Sequence, residues 1–401
     1  MDKEHLTTRH AALVLGLGTA QLLAWGTLYY ALAIFGQPMR RELHLSNAEL
    51  FGGFACSLAL SGLLAPLAGR LIDRWGGRKV LATSGAVGAC GFVVLAATST
   101  RLGFITSWIV LGLAMALGLY DSCFAALAQA TPFKYRANVT GVTLLGGLAS
   151  TVAWPLSHYL LPAIGWRGAC CAYAGALLVC SLIYLAVLPH RLPGIRLPLR
   201  AAPHSERVAT LALQLRNRAR TLSLAFAGSA FVASAFSAHM IYTLKALQIP
   251  TERAVWLAST LGIIQVGGRL LERLVGQRHS ALALGTTTFG VLALSVWVLL
   301  GIVDFPWLVF PFVLLYGAAN GLLTIVKAAI PVELLGFDGV GATIGTFSAP
   351  SLLSRAAAPV GFVLLADMTG IRGTLTIMLL IAMCSFGALV HAARRQLASR
   401  I

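Results

Sequence analysis

Long, unbroken apolar stretches recur along the whole chain, and short polar segments separate them. Of the 401 residues, 58% are hydrophobic and 11% are charged, whereas soluble domains carry roughly 25% charged residues. A helix needs about 20 apolar residues to cross a bilayer, because the hydrocarbon core is about 30 Å thick. The apolar residues do not alternate with polar ones, so the pattern predicts transmembrane helices and excludes a transmembrane β-barrel.

Twelve of these stretches are long enough to cross a membrane, which predicts an all-α membrane protein with twelve transmembrane helices. One long polar segment, 190–220, contains three prolines and seven arginines and is the natural linker between two halves. We therefore expect two pseudo-symmetric six-helix bundles, an N-terminal one over 1–189 and a C-terminal one over 221–401. The predicted spans lie near 11–36, 48–69, 80–99, 104–131, 138–161, 168–188, 221–245, 253–273, 280–301, 306–330, 340–365 and 372–393.

The two predicted halves repeat one another in sequence. The segment Gly69-Arg-Leu-Ile-Asp-Arg74 returns 199 residues later as Gly268-Arg-Leu-Leu-Glu-Arg273. Repeats of six spans each have the same topology, so they are parallel repeats related by an axis along the membrane normal. Further echoes pair Gly118, Asp121 and Pro132 with Gly317, Asn320 and Pro331, and Gly165-Trp-Arg-Gly168 with Gly370-Ile-Arg-Gly373.

The basic residues favour one side of the membrane. The net charge is +17, and 21 of the 30 Lys and Arg residues share one side when the N-terminus is cytoplasmic. Because cytoplasmic loops carry an excess of Lys and Arg, both termini are predicted to be cytoplasmic. The basic residues lie in short loops rather than in one groove, so we expect no nucleic-acid partner. We expect a monomer in the lipid bilayer of a bacterial-type inner membrane.

Motifs for metal ions, nucleotides and catalysis are absent from the sequence. The seven cysteines lie in or beside apolar runs and do not have the spacing of metal ligands. The chain has no Gly-x4-Gly-Lys-Ser/Thr loop that would cradle a phosphate. We therefore expect no cofactor, no metal site and no enzymatic activity.

A glycine-rich basic loop follows the second predicted span and reads Gly69-Arg-Leu-Ile-Asp-Arg-Trp-Gly-Gly-Arg-Lys. Gly69 lets two helices approach closely, and Asp73 can pair with an arginine or face the N-terminus of a neighbouring helix. Gly77 contributes to the tight turn, while Arg74 and Arg78 hold this turn on the cytoplasmic side. In its residues, spacing and position, the loop resembles the signature loop of the major facilitator superfamily.

This resemblance implies a twelve-helix bundle that works by alternating access, in which the loop is a gate latch and not a substrate site. A degenerate second copy begins at Gly268 and includes Arg273. In this copy Glu272 replaces the aspartate and Gln277 replaces one of the arginines. We therefore expect the second copy to latch less strongly than the first.

Two charged residues lie in the middle of predicted spans, Asp121 in span 4 and Arg355 in span 11. A charge within the bilayer is costly unless it faces a cavity or a partner. Asp121 could carry a coupling proton, because a carboxylate removed from water binds a proton more readily, or it could fix helix packing as a buried partner. Arg355 cannot lose its proton and needs an anion, which could be a substrate carboxylate, Asp121 or each in turn.

Span 1 carries a polar and aromatic face. Gln21, Trp25 and Tyr29 follow at i, i+4 and i+8 and share one side of the helix. The superfamily resemblance implies that spans 1, 4, 7 and 10 line a central cavity. These side chains could form a flat apolar wall with hydrogen-bond donors in that cavity, or the aromatic residues could belong to the membrane-interface belt.

Spans 4, 7 and 10 supply weaker candidates for substrate contact. His239 and Tyr242 share one face of span 7, where they could meet a substrate or simply pack. Asn320 is the repeat mate of Asp121, so the resemblance places the two at related positions in spans 10 and 4. Tyr120 precedes Asp121 directly and completes the candidate set.

Span 1 also contains Trp25-Gly-Thr-Leu-Tyr-Tyr30, followed by Pro38. This pattern resembles the monocarboxylate porter and oxalate:formate antiporter branch of the superfamily. It implies a secondary active transporter of a small organic anion, a monocarboxylate, with coupled protons. In this interpretation Arg355 binds the carboxylate and Asp121 carries or gates the proton. The residues expected to orient the substrate are Asn320, Gln21 and Tyr29.

Two other functions stay open at this point. One is efflux of a drug or an uncharged metalloid acid by proton antiport, which only Cys123, two residues after Asp121, favours. The other is a transporter-like membrane sensor, which would need an appended partner domain that we do not expect.

Overall fold

The computed structural model describes residues 3–190, 206–337 and 339–398. Throughout these ranges the chain forms helices joined by short turns, and no strand occurs in them. The fold is therefore all-helical over the described residues, as the apolar runs predict. Part of the predicted linker lies outside these ranges, and the predicted boundaries of the two bundles stay predictions.

The chain divides into two compact units, which do not coincide with two continuous halves of the sequence. Unit 1 comprises Met1–Leu192 and Gly339–Ala349. Unit 2 comprises Pro193–Asp338 and Pro350–Ile401. The boundary near the C-terminus falls inside one helix, so this helix begins in unit 1 and continues in unit 2.

Unit 1 contains the first eight α-helices, which build one packed bundle with buried aromatic side chains at its centre. The helices are α1 (Lys3–Leu28), α2 (Ala31–Glu42), α3 (Asn47–Trp75), α4 (Gly77–Ala97), α5 (Arg101–Gly118), α6 (Tyr120–Ala130), α7 (Tyr135–Gly146) and α8 (Ala149–Val187).

Unit 2 contains the remaining helices. Its core includes an aromatic cluster in which the ring of Phe236 lies 6.2 Å from Phe312, 5.9 Å from Tyr316 and 6.1 Å from Phe362. The helices are α9 (Glu206–Ala246), α10 (Thr251–Leu274), α11 (Ala281–Leu300), α12 (Val309–Leu335) and α13 (Val340–Ala398), whose first turns belong to unit 1.

Within the described ranges, ten helical segments are long and apolar enough to cross a membrane. Two of them, Pro132–Val187 and Val340–Arg394, have 56 and 55 residues. Each contains one glycine in the left-handed region, Gly165 with φ 67° and ψ 173° and Gly370 with φ 68° and ψ 176°. Only glycine adopts such angles at little cost. The repeated Gly-x-Arg-Gly sequence therefore has the same backbone conformation in both copies, while the count of twelve spans stays a prediction.

Two predicted continuous spans are interrupted. In span 1, α1 ends at Leu28 and α2 begins at Ala31, with a turn at Tyr29 and Tyr30. In span 4, Leu119 has an extended backbone (ψ −173°) between α5 and α6. Interrupted helices are tolerated at membrane depth only where protein groups or cavity water satisfy the freed backbone, so these breaks mark polar regions of unit 1.

The first Gly-x-Arg-Gly segment is tied to the end of α2 by Glu42. Its carboxylate accepts a hydrogen bond from Trp166 Nε1 at 2.5 Å and pairs with Arg167 at 2.9 Å. In the second copy Arg372 is exposed and forms no ion pair with the described residues. The two copies therefore share a backbone conformation but not their side-chain contacts.

Glycines allow the helices of unit 1 to pack closely. A Cβ atom at Gly85 of α4 would lie 2.4 Å from the carbonyl oxygen of Leu177 in α8. A Cβ atom at Gly112 of α5 would lie 2.7 Å from the carbonyl oxygen of Ser57 in α3. Membrane helices lack a hydrophobic driving force between them, and close backbone approach at small residues takes its place.

We expect Gly85→Ala to destabilise the protein by about 1–3 kcal/mol, because the added methyl group overpacks the α4–α8 contact. The matched control is Gly175→Ala, since a Cβ atom there meets nothing within 4 Å. Thermal unfolding of the purified protein in detergent measures both. A midpoint for the first variant equal to that of the control would contradict the packing argument.

Candidate functional site

Asp73 lies against the start of α13 within unit 1. Its carboxylate accepts hydrogen bonds from the backbone N–H groups of Gly341 at 2.9 Å and Ala342 at 2.8 Å. The first N–H groups of a helix have no partner inside the helix and carry partial positive charge. The structure therefore places the carboxylate of Asp73 at the N-terminus of α13. A helix N-terminus is one of the two kinds of partner that the sequence suggests for this aspartate.

Glycines let α3 and α13 touch through their backbones beside Asp73. A Cβ atom at Gly69 would lie 1.9 Å from the carbonyl oxygen of Gly341, and one at Gly345 would lie 2.2 Å from that of Ala65. No residue with a side chain fits at either position without moving a helix. Gly69 therefore has the role of close approach that the sequence predicts.

Two side chains attach the loop to neighbouring helices. Gln129 of α6 donates its amide to Asp73 Oδ1 at 3.3 Å and to the carbonyl oxygen of Ile72 at 3.2 Å. Arg78 donates to the carbonyl oxygen of Leu185 at 2.8 Å and contacts the ring of His190. The arginine thus ties α4 to the end of α8, in addition to contributing positive charge on its side of the membrane.

Three further residues of the loop are Gly76, Gly77 and Arg74. Gly76 ends α3 with φ 84°, a value that favours glycine. A Cβ atom at Gly77 would lie 2.2 Å from the Cβ atom of Ala126, so this glycine is also a packing residue. Arg74 is exposed at the end of α3.

The second copy of the loop, in unit 2, has different contacts. Glu272 is 3% exposed and accepts a hydrogen bond from Gln277 at 2.7 Å, so the two substituted positions of this copy bond to each other. A Cβ atom at Gly268 would lie 3.2 Å from the carbonyl oxygen of Ala318, a looser approach than at the first copy. Arg273 is exposed. The weaker latching expected of this copy stays a prediction.

Asp121 lies in the first turn of α6, directly after the break in span 4. The break frees carbonyl groups at the end of α5, and polar side chains satisfy them. Ser122 Oγ donates to the carbonyl oxygen of Ala116 at 2.7 Å, and Gln21 Nε2 donates to that of Gly118 at 2.7 Å. Asp121 therefore lies at a helix N-terminus, where a negative charge is favoured.

Asp121 is also bonded to the first turns of α13. Ser348 Oγ donates to Asp121 Oδ1 at 2.7 Å, and both residues belong to unit 1. Ser348 is 1% exposed, whereas Asp121 is half-buried. The candidate proton carrier thus has a defined hydroxyl partner that no sequence pattern suggests.

The aromatic residues of span 1 join an aromatic cluster beside Asp121. The ring centroid of Trp25 lies 5.2 Å from that of Tyr29 and 5.0 Å from that of Tyr120. Tyr120 stacks on Phe124 at 5.2 Å, and Tyr29 lies 5.3 Å from Phe54. Trp25 Nε1 is buried and has no hydrogen-bond partner among the described residues.

Gln21 is more deeply buried than its neighbours on the same face. It is fully buried, and its amide also donates to the hydroxyl oxygen of Tyr184 at 3.1 Å. This arrangement favours a role in holding the span 4 break over direct contact with a substrate. That Gln21 contacts a substrate stays a prediction.

Arg355 is half-buried in the apolar α13, in the part that belongs to unit 2. Its guanidinium forms no hydrogen bond and no ion pair with the residues that the structure describes in this unit. Its carbonyl oxygen, which Pro359 leaves without a helical donor, accepts a hydrogen bond from Ser234 at 3.0 Å. One turn earlier, the hydroxyl of Ser351 is buried and has no partner among the described residues.

The candidates of span 7 lie at a kink of α9. His239 has non-helical backbone angles (φ −116°, ψ 20°), and its Nε2 lies 2.9 Å from the carbonyl oxygen of Pro359. Its ring stacks on Phe362 with centroids 5.0 Å apart. Tyr242 is exposed and lines an open cavity of about 480 Å³ together with Lys245. His239 is therefore packed, and Tyr242 is the accessible member of the pair.

Asn320 is half-buried in α12, and its side chain has no hydrogen bond within the described part of unit 2. Four residues earlier, Tyr316 shares its helix face and is fully buried. The hydroxyl of Tyr316 donates to the carbonyl oxygen of Ala233 at 2.7 Å and lies 2.9 Å from Ser237 Oγ. The sequence analysis did not single out this tyrosine, because nothing in its local pattern sets it apart from an ordinary core aromatic.

The sequence matches the family model of the Major Facilitator Superfamily over residues 17–359. The chain belongs to this superfamily. With ten apolar helices in its described part, this superfamily member is a multi-pass membrane protein. The superfamily and the relatives of this chain are transporters and not enzymes.

Individual members of the superfamily are similar over part of the sequence or over the fold. Mouse monocarboxylate transporter 6 is 29% identical over 161 residues, which are 38% of this chain and 32% of the mouse protein. The match thus spans about a third of the relative's length. The crystal structure of the human organic anion transporter MFSD10 has a TM-score of 0.72 at 18% identity and covers 94% of this chain and 98% of the human chain.

A second solved superfamily structure, the transporter FucP in the outward conformation, has a TM-score of 0.70 at 12% identity. This match covers 94% of this chain and 97% of that chain. At such identities the two structures show a shared fold and nothing about the substrate.

We expect Gln21→Leu to destabilise this superfamily member by about 1–3 kcal/mol, because the buried carbonyl oxygen of Gly118 loses its donor. Gln37→Leu is the matched control, since Gln37 is exposed and its side chain hydrogen-bonds only to Arg40 in the described structure. Thermal unfolding in detergent compares the two variants. Equal midpoints would show that the amide of Gln21 does not hold the break.

Proposed function

We propose that this protein is a secondary active transporter that moves a small organic anion, a monocarboxylate, by alternating access and with coupled protons. We further propose twelve transmembrane helices in two six-helix bundles, a bacterial-type inner membrane and cytoplasmic termini. The length of the segments Pro132–Val187 and Val340–Arg394 supports this number of helices, since about 20 residues suffice for one crossing.

The guanidinium of Arg355, which has no partner among the residues described in unit 2, carries the proposal of an anionic substrate. Arginine keeps its proton in proteins, and a charge within an apolar segment is costly without an anion. A planar guanidinium also matches a carboxylate in two parallel hydrogen bonds. The free hydroxyl of Ser351 lies one turn away on the same helix face and could add a further donor.

The name of a similar protein supports the same class of substrate. The mouse relative, which is similar over 38% of this chain, is named as a monocarboxylate transporter. The aromatic cluster around Trp25 and Tyr29 offers the apolar body of such an anion a flat surface, and Trp25 Nε1 offers it a hydrogen bond. Asn320, whose amide is free within the described part of unit 2, is the second candidate for orienting the anion.

Asp121 is the proposed proton carrier. It is half-buried in an apolar region, and its hydrogen bond from Ser348 and its place at the start of α6 hold it in one orientation. A carboxylate so placed can alternate between a charged and a protonated form as the site opens to water and closes. In the proposed transport cycle, the negative charge of Asp121 is neutralised when its carboxylate binds a proton.

We expect Arg355→Ala to weaken carboxylate binding by roughly 30-fold or more, because one charged partner is removed. The measurement is a thermal-shift titration of purified protein with paired probes, benzoate against benzamide and lactate against lactamide. Only the carboxylate of each pair should stabilise the wild type, and Arg355→Ala should lose this effect.

The matched control for this experiment is Arg372→Ala, an exposed arginine on the same helix. This variant should respond to the carboxylates as the wild type does. If both variants and the wild type bind carboxylates equally, Arg355 is not the anion site. Stabilisation by the uncharged amides, by drugs or by uncharged metalloid acids alone would favour the efflux alternative.

We expect Asp121→Asn to lose accumulation driven by a pH gradient while exchange of substrate across the membrane persists, because the amide cannot bind the coupling proton. Proteoliposomes with the carboxylate selected by the thermal-shift panel measure both activities. Asp367→Asn, an exposed residue of α13, is the matched control. Normal pH-driven accumulation by Asp121→Asn would refute the proton role.

A further inference from the structure

The first turns of α13 are held to unit 1 by two carboxylates. We name this segment, Gly339–Ala349, the strap. Two backbone N–H groups in its first turn donate to Asp73 at 2.9 and 2.8 Å. Near its other end, Ser348 donates to Asp121 at 2.7 Å. The strap therefore joins the signature loop to the proposed proton carrier within about two turns of helix.

The strap packs on unit 1 by direct backbone contact, which makes its attachment sensitive to small displacements. A Cβ atom at Gly341 or Gly345 would lie 2.3 or 2.2 Å from a carbonyl oxygen of α3. The two backbones are therefore close, and moving the strap away from α3 would break its hydrogen bonds to the carboxylates. We call this packed arrangement the seated state of the strap.

We propose that Ser348 couples the charge of Asp121 to the seating of the strap, so that protonation of Asp121 loosens the strap as the proton is loaded. This inference rests on the proposed role of Asp121 as the proton carrier. A hydrogen bond to an ionised carboxylate is roughly twice as strong as one to a neutral group. Because Ser348 is buried, water cannot replace the weakened bond in the seated state.

The surroundings of Asp121 suit this role. Titratable groups near it include Tyr135, Cys123 and the adjacent Tyr120, which are uncharged in their ordinary state at neutral pH. Arg355 follows Ser348 by seven residues, two turns along the same helix.

Hydrogen exchange of the strap tests the proposal without a ligand. The full-length protein in lipid nanodiscs is labelled in D₂O at one fixed pH, and peptides that cover 340–349 are followed by mass spectrometry. We expect Ser348→Ala to raise the exchange rate of these peptides about tenfold, because a charge-assisted hydrogen bond is lost. Asp121→Asn should raise it less, since the amide oxygen still accepts the hydroxyl.

Two variants separate the hydroxyl from general packing. Thr346→Ala removes an exposed hydroxyl of the strap that forms no hydrogen bond with the described residues, and it should exchange as the wild type does. Ser348→Thr keeps the hydroxyl and should restore most of the protection. Asp73→Asn, which weakens the other attachment, is the positive control and should raise exchange on its own.

The decisive comparison is a double-mutant cycle between Ser348 and Asp121. If the two act as one contact, Ser348→Ala should raise exchange less in the D121N background than in the wild type, because only a neutral hydrogen bond is left to lose. An equal increase in both backgrounds, or no increase in either, would overturn the coupling. In proteoliposomes Ser348→Ala should also shift the pH profile of transport, whereas Thr346→Ala should leave it in place.

These outcomes are distinguishable from failure of the proposed function. If Asp121→Asn retains pH-driven accumulation, the proton role is wrong whatever the exchange data show, and the coupling of protonation to the strap is then wrong with it. If Asp121→Asn loses this accumulation while the double-mutant cycle is additive, the proton role stands and only the coupling through Ser348 is refuted.

Discussion

Water cannot reach the backbone inside a bilayer, so each carbonyl group freed by a break in a membrane helix has to find a donor within the protein. The described structure satisfies this requirement with polar side chains of neighbouring helices. Gln21 and Ser122 donate hydrogen bonds to the carbonyl oxygens freed by the break at Leu119. Ser234 donates to the carbonyl oxygen of Arg355, which Pro359 leaves without a helical donor. Polar residues therefore gather where helices are interrupted, and the candidate site lies among them.

The same constraint governs the charges. Both key carboxylates of unit 1 lie at helix N-termini, Asp73 at the start of α13 and Asp121 at the start of α6. Backbone N–H groups at these ends stabilise negative charge without a cation. The guanidinium of Arg355 has no partner among the residues described in unit 2, and an anion would satisfy it. This asymmetry between the signs of charge underlies the proposal of an anionic cargo.

The sequence predicted the parts of the fold that depend on local pattern. Apolar runs predicted helices, and the loop at Gly69 predicted both the family and a close helix approach. It did not predict the break at Leu119, because leucine carries no signal of interruption and the cause lies in donors such as Gln21, 98 residues away. Ser348 was missed for a similar reason: a lone serine in an apolar helix has no pattern, and its significance comes only from a contact distant in sequence.

The equivalent glycines of the two long apolar segments carry a further lesson about how such a protein diverges. Gly165 and Gly370 have backbone angles that agree within 3°, although Arg167 pairs with Glu42 and Arg372 is exposed. What both copies keep is a kink that only glycine permits at little cost. The side-chain contacts thus differ between the two copies, whereas the backbone conformation at the glycine is the same. The copies are therefore better compared through positions of backbone geometry than through positions of contact.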